Sequence, residues 1–284
     1  MTDYPALTED EFRRLCEYLY RRTGMVFTES KRYYVERRVL ERMSATGSRS
    51  FASYLVRLRA DAAGEIEQFV NAFTVNETYF FREDHQLRCL TTDLLAERIR
   101  NKQPGDTLRI WSIPCASGEE PYSLAIWLLE YWPLVDEYEI EIVGSDIDTQ
   151  VLQFARAGIF GQRALMRLAP QLIDKYFTAL PPENWQILDD LRDSVQFSTV
   201  NLVEPAQTRP NGQFDVIFCR NVLIYFDDAS RRTAAENLYE NLLPGGFICL
   251  GHTESMSRIS ALFEVRRFAD AIVYQRPRQV TGHG

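Results

Sequence analysis

From Thr107 onward the chain alternates short, solidly apolar runs with amphipathic stretches of helical period, and this pattern restricts the fold more than any other feature. Residues 108–113, 139–143, 195–200, 214–219 and 247–250 read as buried strands, and residues 121–131, 149–157 and 228–243 as helices between them. Strands alternating with helices build a parallel α/β sheet, because each parallel return needs a crossover long enough to carry a helix. Residues 263–268 and 271–275 lie too close for a crossover, so they are expected to pair as a hairpin and add an antiparallel edge. In an open α/β sheet, ligands bind outside the carboxyl ends of the strands. The residues that follow each strand are therefore the first candidates for a site.

Two regions depart from the alternation. Residues 159–193 hold Gly161, Pro170 and the pair Pro181-Pro182, set between Tyr176-Phe177-Thr178 and Trp185-Gln186-Ile187-Leu188. A loop that long is uncommon unless it folds on its own, which predicts a small inserted subdomain with a hairpin. Residues 1–75 read as helices. Thr8 with Glu11 three residues on is a capping-box signature, and Phe12, Leu15, Cys16 and Leu19 follow at helical spacing. A second helix is expected over 31–43 with Val35, Val39 and Met43 as its stripe and Gly47 as its C-cap, then others over 51–59 and 65–73. The expected division is an all-α domain over 1–75, a linker with a connecting helix over 76–106, and the sheet domain over 107–284.

Charge follows the same division. The chain has 32 Lys/Arg against 40 Asp/Glu, a net charge of −8. Residues 1–60 hold 12 basic and 8 acidic residues (+4), which leaves 20 and 32 (−12) for the rest. A basic head on an acidic body suggests a partner of its own for the head. On the helix 31–43, Lys31, Arg38 and Arg42 fall seven and four residues apart and share one broad face.

With 45% apolar and 25% charged residues, the composition excludes collagen-like, disordered and nucleic-acid-coating classes. No run approaches ~18 consecutive apolar residues, and no apolar h-region opens the chain, so neither a membrane span nor a secretory signal is expected. The five cysteines show no C-x-x-C spacing, which fits reduced thiols and a cytoplasmic location. His85, His252 and His283 lack ligand spacing, so no metal is expected.

The strand-end residues are chemically specific. The first turn, Ile113-Pro114-Cys115-Ala116-Ser117-Gly118-Glu119-Glu120-Pro121, has one glycine, too few for a dinucleotide fingerprint. Its small residues nevertheless let a ligand approach the backbone, and Cys115 is expected to pack rather than react. The second strand ends in Ser145-Asp146-Ile147-Asp148. Asp146 is placed to receive ribose hydroxyls, and Asp148 to cap the next helix. Arg220-Asn221 emerge from the apolar run 216–219, an expensive placement unless they are paired with an acid or functional.

These residues carry a resemblance. Asn76-Glu77-Thr78-Tyr79-Phe80-Phe81-Arg82-Glu83, Ser117-Gly118-Glu119-Glu120-Pro121-Tyr122-Ser123, Ser145-Asp146-Ile147-Asp148, Phe218-Cys219-Arg220-Asn221-Val222-Leu223-Ile224-Tyr225-Phe226 and Gly251-His252-Thr253-Glu254-Ser255 together resemble the CheR family, in order and over nearly the whole chain. These are chemotaxis receptor glutamate methyltransferases that use S-adenosyl-L-methionine and release S-adenosyl-L-homocysteine. The resemblance implies a Rossmann-like methyltransferase sheet. It implies that Asn76, Thr78 and Arg82 reach the cofactor from the linker, that Glu120 meets its amino group, and that Asp146 holds the ribose. Asn201 and Leu202 would flank the adenine, and Arg220 and Asn221 would line the floor. Arg82 and Tyr225 would orient the substrate carboxylate, with Lys31, Arg38 and Arg42 docking an acidic receptor helix. The implied partners are the cytoplasmic domains of chemoreceptors, with no nucleic acid and no metal. A nucleic-acid methyltransferase and a non-catalytic cofactor-sensing adaptor are the rival readings. The acidic body and the lack of an Asn/Asp-Pro-Pro-aromatic run speak against the first, and the intact Arg82 and Tyr225 against the second.

Overall fold

The computed structural model describes residues 6–278. Four helices open the chain: α1 (Glu9–Thr23), α2 (Arg32–Ala45), α3 (Phe51–Arg59) and α4 (Glu65–Phe73). The capping box forms as its residues require. Thr8 Oγ1 accepts from the Glu11 amide at 3.3 Å, and the Glu11 carboxylate accepts from the Thr8 amide at 2.9 Å. Gly24 ends α1 at φ 73°. Lys31 closes a short 3₁₀ turn, Glu29–Lys31, so the second helix begins one residue later than its apolar stripe suggests.

Ten strands follow: β1 (Thr107–Ser112), β2 (Glu139–Asp146), β3 (Ile159–Gly161), β4 (Phe177–Leu180), β5 (Asn184–Ile187), β6 (Val195–Thr199), β7 (Phe214–Cys219), β8 (Leu242–Leu250), β9 (Glu264–Arg267) and β10 (Ile272–Gln275). Seven make one sheet in the order β6-β2-β1-β7-β8-β10-β9. β6 through β8 run parallel, and β10 is antiparallel to both β8 and β9. The chain passes from one side of β1 to the other between β6 and β7, which puts the switch point at β1 and β7. The inserted segment forms its own antiparallel sheet, β3-β5-β4. Its hairpin is the expected one, and the short strand β3 adds a third member that the sequence pattern does not signal.

Alternation along the strands divides the core. Trp111, Ile217 and Cys219 face a cluster that includes Leu15, Val35 and Phe73 of the helical head, whereas Ile110, Val216 and Phe218 face one that includes Leu90, Leu124 and Phe160. The connecting segment is tied to the sheet by charge: Asp215, fully buried on β7, is 2.9 Å from Arg98 and 3.4 Å from Lys102.

One expectation changes. Pro244-Gly245-Gly246 reads as a link between a helix ending at 243 and a strand beginning at 247. Instead the helix Asp228–Glu240 stops earlier, and β8 runs through all three residues. From Phe214↔Leu242 to Val216↔Phe247, β8 advances further than β7, so the extra residues form a bulge. Gly245 takes φ 74° there, and a Cβ on Gly246 would stand 2.8 Å from the Leu243 carbonyl.

Candidate active site

The first turn and β2 are locked together at the carboxyl end of the sheet. The Cys115 amide donates to the Ser145 carbonyl at 2.8 Å, and the Ala116 amide to Asp146 Oδ2 at 2.9 Å. The other oxygen of Asp146 accepts from the Asp148 amide at 2.9 Å. Burial pushes this carboxyl up to about 6, against the opposing pull of those amides. Cys115 is buried beside it with its thiol well above the ordinary range, which leaves it packing and no nucleophile. Asp148 caps its helix through the Gln150 and Val151 amides. Its second oxygen accepts from Thr74 Oγ1 at 2.5 Å and Asn76 Nδ2 at 2.9 Å. The linker is thereby fastened to the end of β2.

Glu120, in the first turn of the helix Glu119–Tyr131 that follows β1, and Arg220, just past β7, form a buried pair. Arg220 Nε donates to Glu120 Oε2 at 2.5 Å, and Ser112 Oγ donates to the other carboxylate oxygen at 2.8 Å. Arg220 also donates to the Arg82 carbonyl at 2.7 Å and stands 3.8 Å from Glu83. The ion-pair alternative for Arg220 is thus realised, with a wider role attached: this side chain links β7, the first turn and the linker. The Arg82 guanidinium lies over the Tyr79 ring and donates to the Glu77 carbonyl at 2.7 Å.

Among the described residues, six non-glycine positions have left-handed backbone, and four of them, Phe81, Glu83, Ala116 and Asn221, lie on loops at this end of the sheet. Such geometry costs ~1 kcal/mol or more at each position and persists only where neighbours impose it. Three of the four amides are held by side chains: Phe81 by Ser123 Oγ at 3.0 Å, Ala116 by Asp146, and Asn221 by Glu254 at 2.8 Å. Glu254 also accepts from the Gly251 amide at 2.9 Å and the Leu223 amide at 2.7 Å. Burial raises its carboxyl above the ordinary range. A Cβ on Gly251 would meet Asn221 Nδ2 at 2.8 Å and Glu254 Oε2 at 2.9 Å, so a larger residue there would push on the two side chains that organise this corner. Glu254 is the residue that sequence reasoning passes over, although it stands in one of the quoted motifs.

Asn201 is turned toward the helical head, where its Nδ2 donates to the Arg22 carbonyl at 2.7 Å. Leu202 is buried beside a small apolar cavity of about 50 Å³, lined in part by Ile113, Ile147, Val200 and Met25. Tyr225 is half-buried near Tyr34, Arg82, Glu77 and Glu254; burial raises its phenol, which stays protonated at neutral pH. Asn76 and Thr78 open onto a larger cleft of about 670 Å³, whose wall on the helical side carries Tyr34 and Arg38.

The three basic residues of the second helix separate. Lys31 is exposed, and Arg38 lies over the Tyr34 ring and 3.5 Å from Glu41. Arg42 is drawn inward: its Nε and Nη2 donate to the buried Glu65 at 3.0 and 2.7 Å, and Tyr54 completes the carboxylate at 2.7 Å. The expected shared docking face therefore loses Arg42. Its partner comes from α4, which helical spacing within α2 cannot reveal.

His252 Nδ1 lies 3.2 Å from Glu83, and His283 lies outside the described residues; among the described residues no cluster of three or more metal-ligand side chains occurs. No helix among them is long and apolar enough to cross a membrane.

A seven-stranded sheet of this order, with a buried acid ending β2 and a tight backbone turn after β1, is a Rossmann-like architecture, the fold expected of a methyltransferase domain. The family assignment is narrower. Residues 76–272 match the CheR methyltransferase SAM-binding domain, and residues 10–74 its all-alpha domain. The chain is 48% identical to chemotaxis protein methyltransferase 2 of Vibrio cholerae, over 96% of this chain and 95% of that one. It is 38% identical to the chemotaxis protein methyltransferase of Salmonella typhimurium and 36% identical to that of Escherichia coli, each over 94% of this chain and 91% of the relative. The chain belongs to the CheR methyltransferase family and uses S-adenosylmethionine.

The donor set fits that cofactor. Asp146 offers buried carboxylate lone pairs to a diol, Leu202 and Ile147 line an apolar slot, and the Glu120–Arg220 pair presents both signs of charge to an amino-acid zwitterion.

Proposed function

We propose that this protein is a protein-glutamate O-methyltransferase acting on the cytoplasmic domains of bacterial chemoreceptors, itself located in the cytoplasm. The observation that carries the reading is the near full-length likeness to chemotaxis protein methyltransferases.

The proposed roles are those the family likeness implies. Asp146 holds the ribose, Asn201 and Leu202 the adenine side, and Glu120, Arg220 and Asn221 the amino-acid end, with Asn76, Thr78 and Arg82 covering the cofactor from the linker. Bound S-adenosylmethionine supplies a methyl group already activated on a sulfonium. A glutamate side chain with a pKa near ~4.3 is already an anion at neutral pH, so no general base is needed. What the chain contributes is position, which can supply ~7–11 kcal/mol. Arg82 and Tyr225 are proposed to orient the incoming carboxylate, Tyr225 as a neutral hydroxyl donor. Residues 1–75 are proposed as the docking domain, residues 76–106 as the linker and residues 107–284, with the insert 159–193, as the catalytic domain. Lys31 and Arg38 are the basic residues left to steer an acidic helix.

The test is methyl transfer from labelled cofactor, offering receptor cytoplasmic domain, RNA and DNA in parallel. Label on the receptor that alkali releases as methanol is expected. Label on nucleic acid, or alkali-stable label on protein, contradicts the reading, and tight cofactor binding with no transfer to any of the three identifies a sensing adaptor.

A further inference from the structure

Beyond the cofactor site, the same end of the sheet carries a second pocket of about 390 Å³, on the other side of the turn Leu223–Tyr225. We propose that this pocket, between Leu223, Ile224, Arg231, Arg232, Arg258 and Ile259, is a subsite for an acidic side chain that neighbours the target glutamate on the protein substrate. The assignment deepens the protein-carboxylate reading above and rests on it.

Its charge is the first argument. Three arginines converge there against two acids, Asp228 and Glu254. Asp228 is answered by Arg231 at 3.3 Å. Glu254 is turned to the three amides of Asn221, Leu223 and Gly251. Arg231 also donates to the Leu223 carbonyl at 2.9 Å, which fixes its direction. Arg232 and Arg258 have no side-chain partner among the described residues. Two uncommitted guanidinium forks at the mouth of a concave site suit a carboxylate better than a point cation would, because each fork can meet two oxygens. Thr253 and Ser255 add hydroxyls to the lining.

Its position is the second. Glu254 is a common wall: it holds the Asn221 and Gly251 amides on the cofactor side and the Leu223 amide on the pocket side. Ile224, 46% exposed, lines the pocket, and Tyr225 is the next residue in the chain. On this assignment, a substrate segment whose target carboxylate lies at Tyr225 passes Ile224 and presents a neighbouring side chain to the arginines. Preference for glutamates with an acidic neighbour would follow, set by encounter and register more than by chemistry at the methyl group.

The test pairs enzyme and substrate variants. Arg232→Glu with Arg258→Glu should raise KM for a receptor cytoplasmic domain roughly tenfold, leaving kcat and S-adenosylmethionine affinity unchanged. Replacing the acidic neighbours of the modified glutamates by glutamine should weaken the parent similarly and the double variant little, so the two effects are non-additive. Equal KM values for parent and variant, or strictly additive effects, overturn the subsite. Both arginines are exposed, and Arg232→Gln with Arg258→Gln carries the same test if charge reversal lowers the melting temperature. The parent's alkali-labile ester formation, measured alongside, separates the two failures. If it is absent, the glutamate reading falls and the subsite with it; if it is present with KM unmoved in the variant, the subsite alone falls.

Discussion

Arg42 and Arg220 each send a guanidinium to a buried glutamate, yet the two pairs stand in different company. In the helical head, Glu65 is closed by Arg42 and Tyr54, all within one bundle of regular helices. At the sheet, Glu120 is shared by Arg220 and Ser112, and the same arginine reaches the linker at the Arg82 carbonyl and stands near Glu83, whose backbone is left-handed. The first arrangement joins elements that are already stable in their own geometry. The second joins loops held away from their preferred geometry, and it faces the place where a charged ligand must sit. One chemical pair thus fastens a fold in one region and preorganises a site in the other.

The widest separation between the pairs comes from removing one partner of each. Glu120→Ala leaves Arg220 without its main partner, which lowers stability by ~3–5 kcal/mol. In the folded protein it is expected to weaken S-adenosylmethionine binding by up to roughly a hundredfold, the worth of a charge-assisted contact to the ligand's amino group. Arg42→Ala is expected to lower stability by ~3 kcal/mol through the stranded Glu65 while leaving cofactor affinity of the folded protein unchanged. Titration calorimetry and chemical denaturation on both variants check this. Loss of cofactor affinity in Arg42→Ala would erase the distinction.

Asp146→Ala should come next, abolishing measurable cofactor binding in the folded protein, with some loss of stability because the Ala116 and Asp148 amides lose their acceptor. Because burial holds Asp146 at about 6, its carboxylate is an ionised acceptor above that pH and takes a proton below it. Cofactor affinity in the parent should therefore fall by up to ~10-fold per pH unit below 6, and Asp146→Asn should flatten that profile. Stability moves the other way. Between ~3.9, the unfolded value, and about 6 the folded carboxyl keeps its proton while the unfolded one has lost it, so this group's contribution declines as pH rises through that window. A binding profile that is flat from pH 7 to 5 contradicts the placement of the ribose at Asp146.

Tyr225→Phe should lower kcat for receptor methylation ~10-fold, the worth of one hydrogen bond to a charged group, without changing cofactor affinity. Unchanged kcat would return Tyr225 to packing alone. The smallest effect is expected in the head. Arg38→Glu should cut receptor methylation a few-fold at low salt, and the gap to the parent should close as the Debye length shrinks from ~10 Å at 0.1 M to ~3 Å at 1 M. Equal rates at low salt would leave Arg38 to its contacts with Tyr34 and Glu41.

Much of this is legible in the sequence because strand ends are short, apolar runs are easily counted, and an acid or arginine emerging from such a run has few structural uses. Asp146, Arg220 and the hairpin of β9 and β10 belong to that class. Arg42 does not: its spacing on α2 is correct, but its partner lies on α4, 23 residues away, and only packing decides which arginine turns inward. Glu254 is hidden for a related reason. Its value lies in three amides drawn from two loops, and backbone donors leave no mark in a sequence. The bulge at Pro244-Gly245-Gly246 reads as a break because strand continuation depends on the neighbouring β7.

The most direct test is to incubate the protein with S-adenosylmethionine and a receptor cytoplasmic domain and to map the added methyl groups by mass spectrometry before and after alkaline treatment. Methyl esters on glutamate side chains, removed by alkali, formed roughly a hundredfold more slowly by Glu120→Ala at cofactor concentrations below the parent's Kd and retained by Arg42→Ala below its melting temperature, are the expected result. Methyl groups on any other residue type, or ester formation by Glu120→Ala at the parent's rate under the same low cofactor concentration, would contradict it.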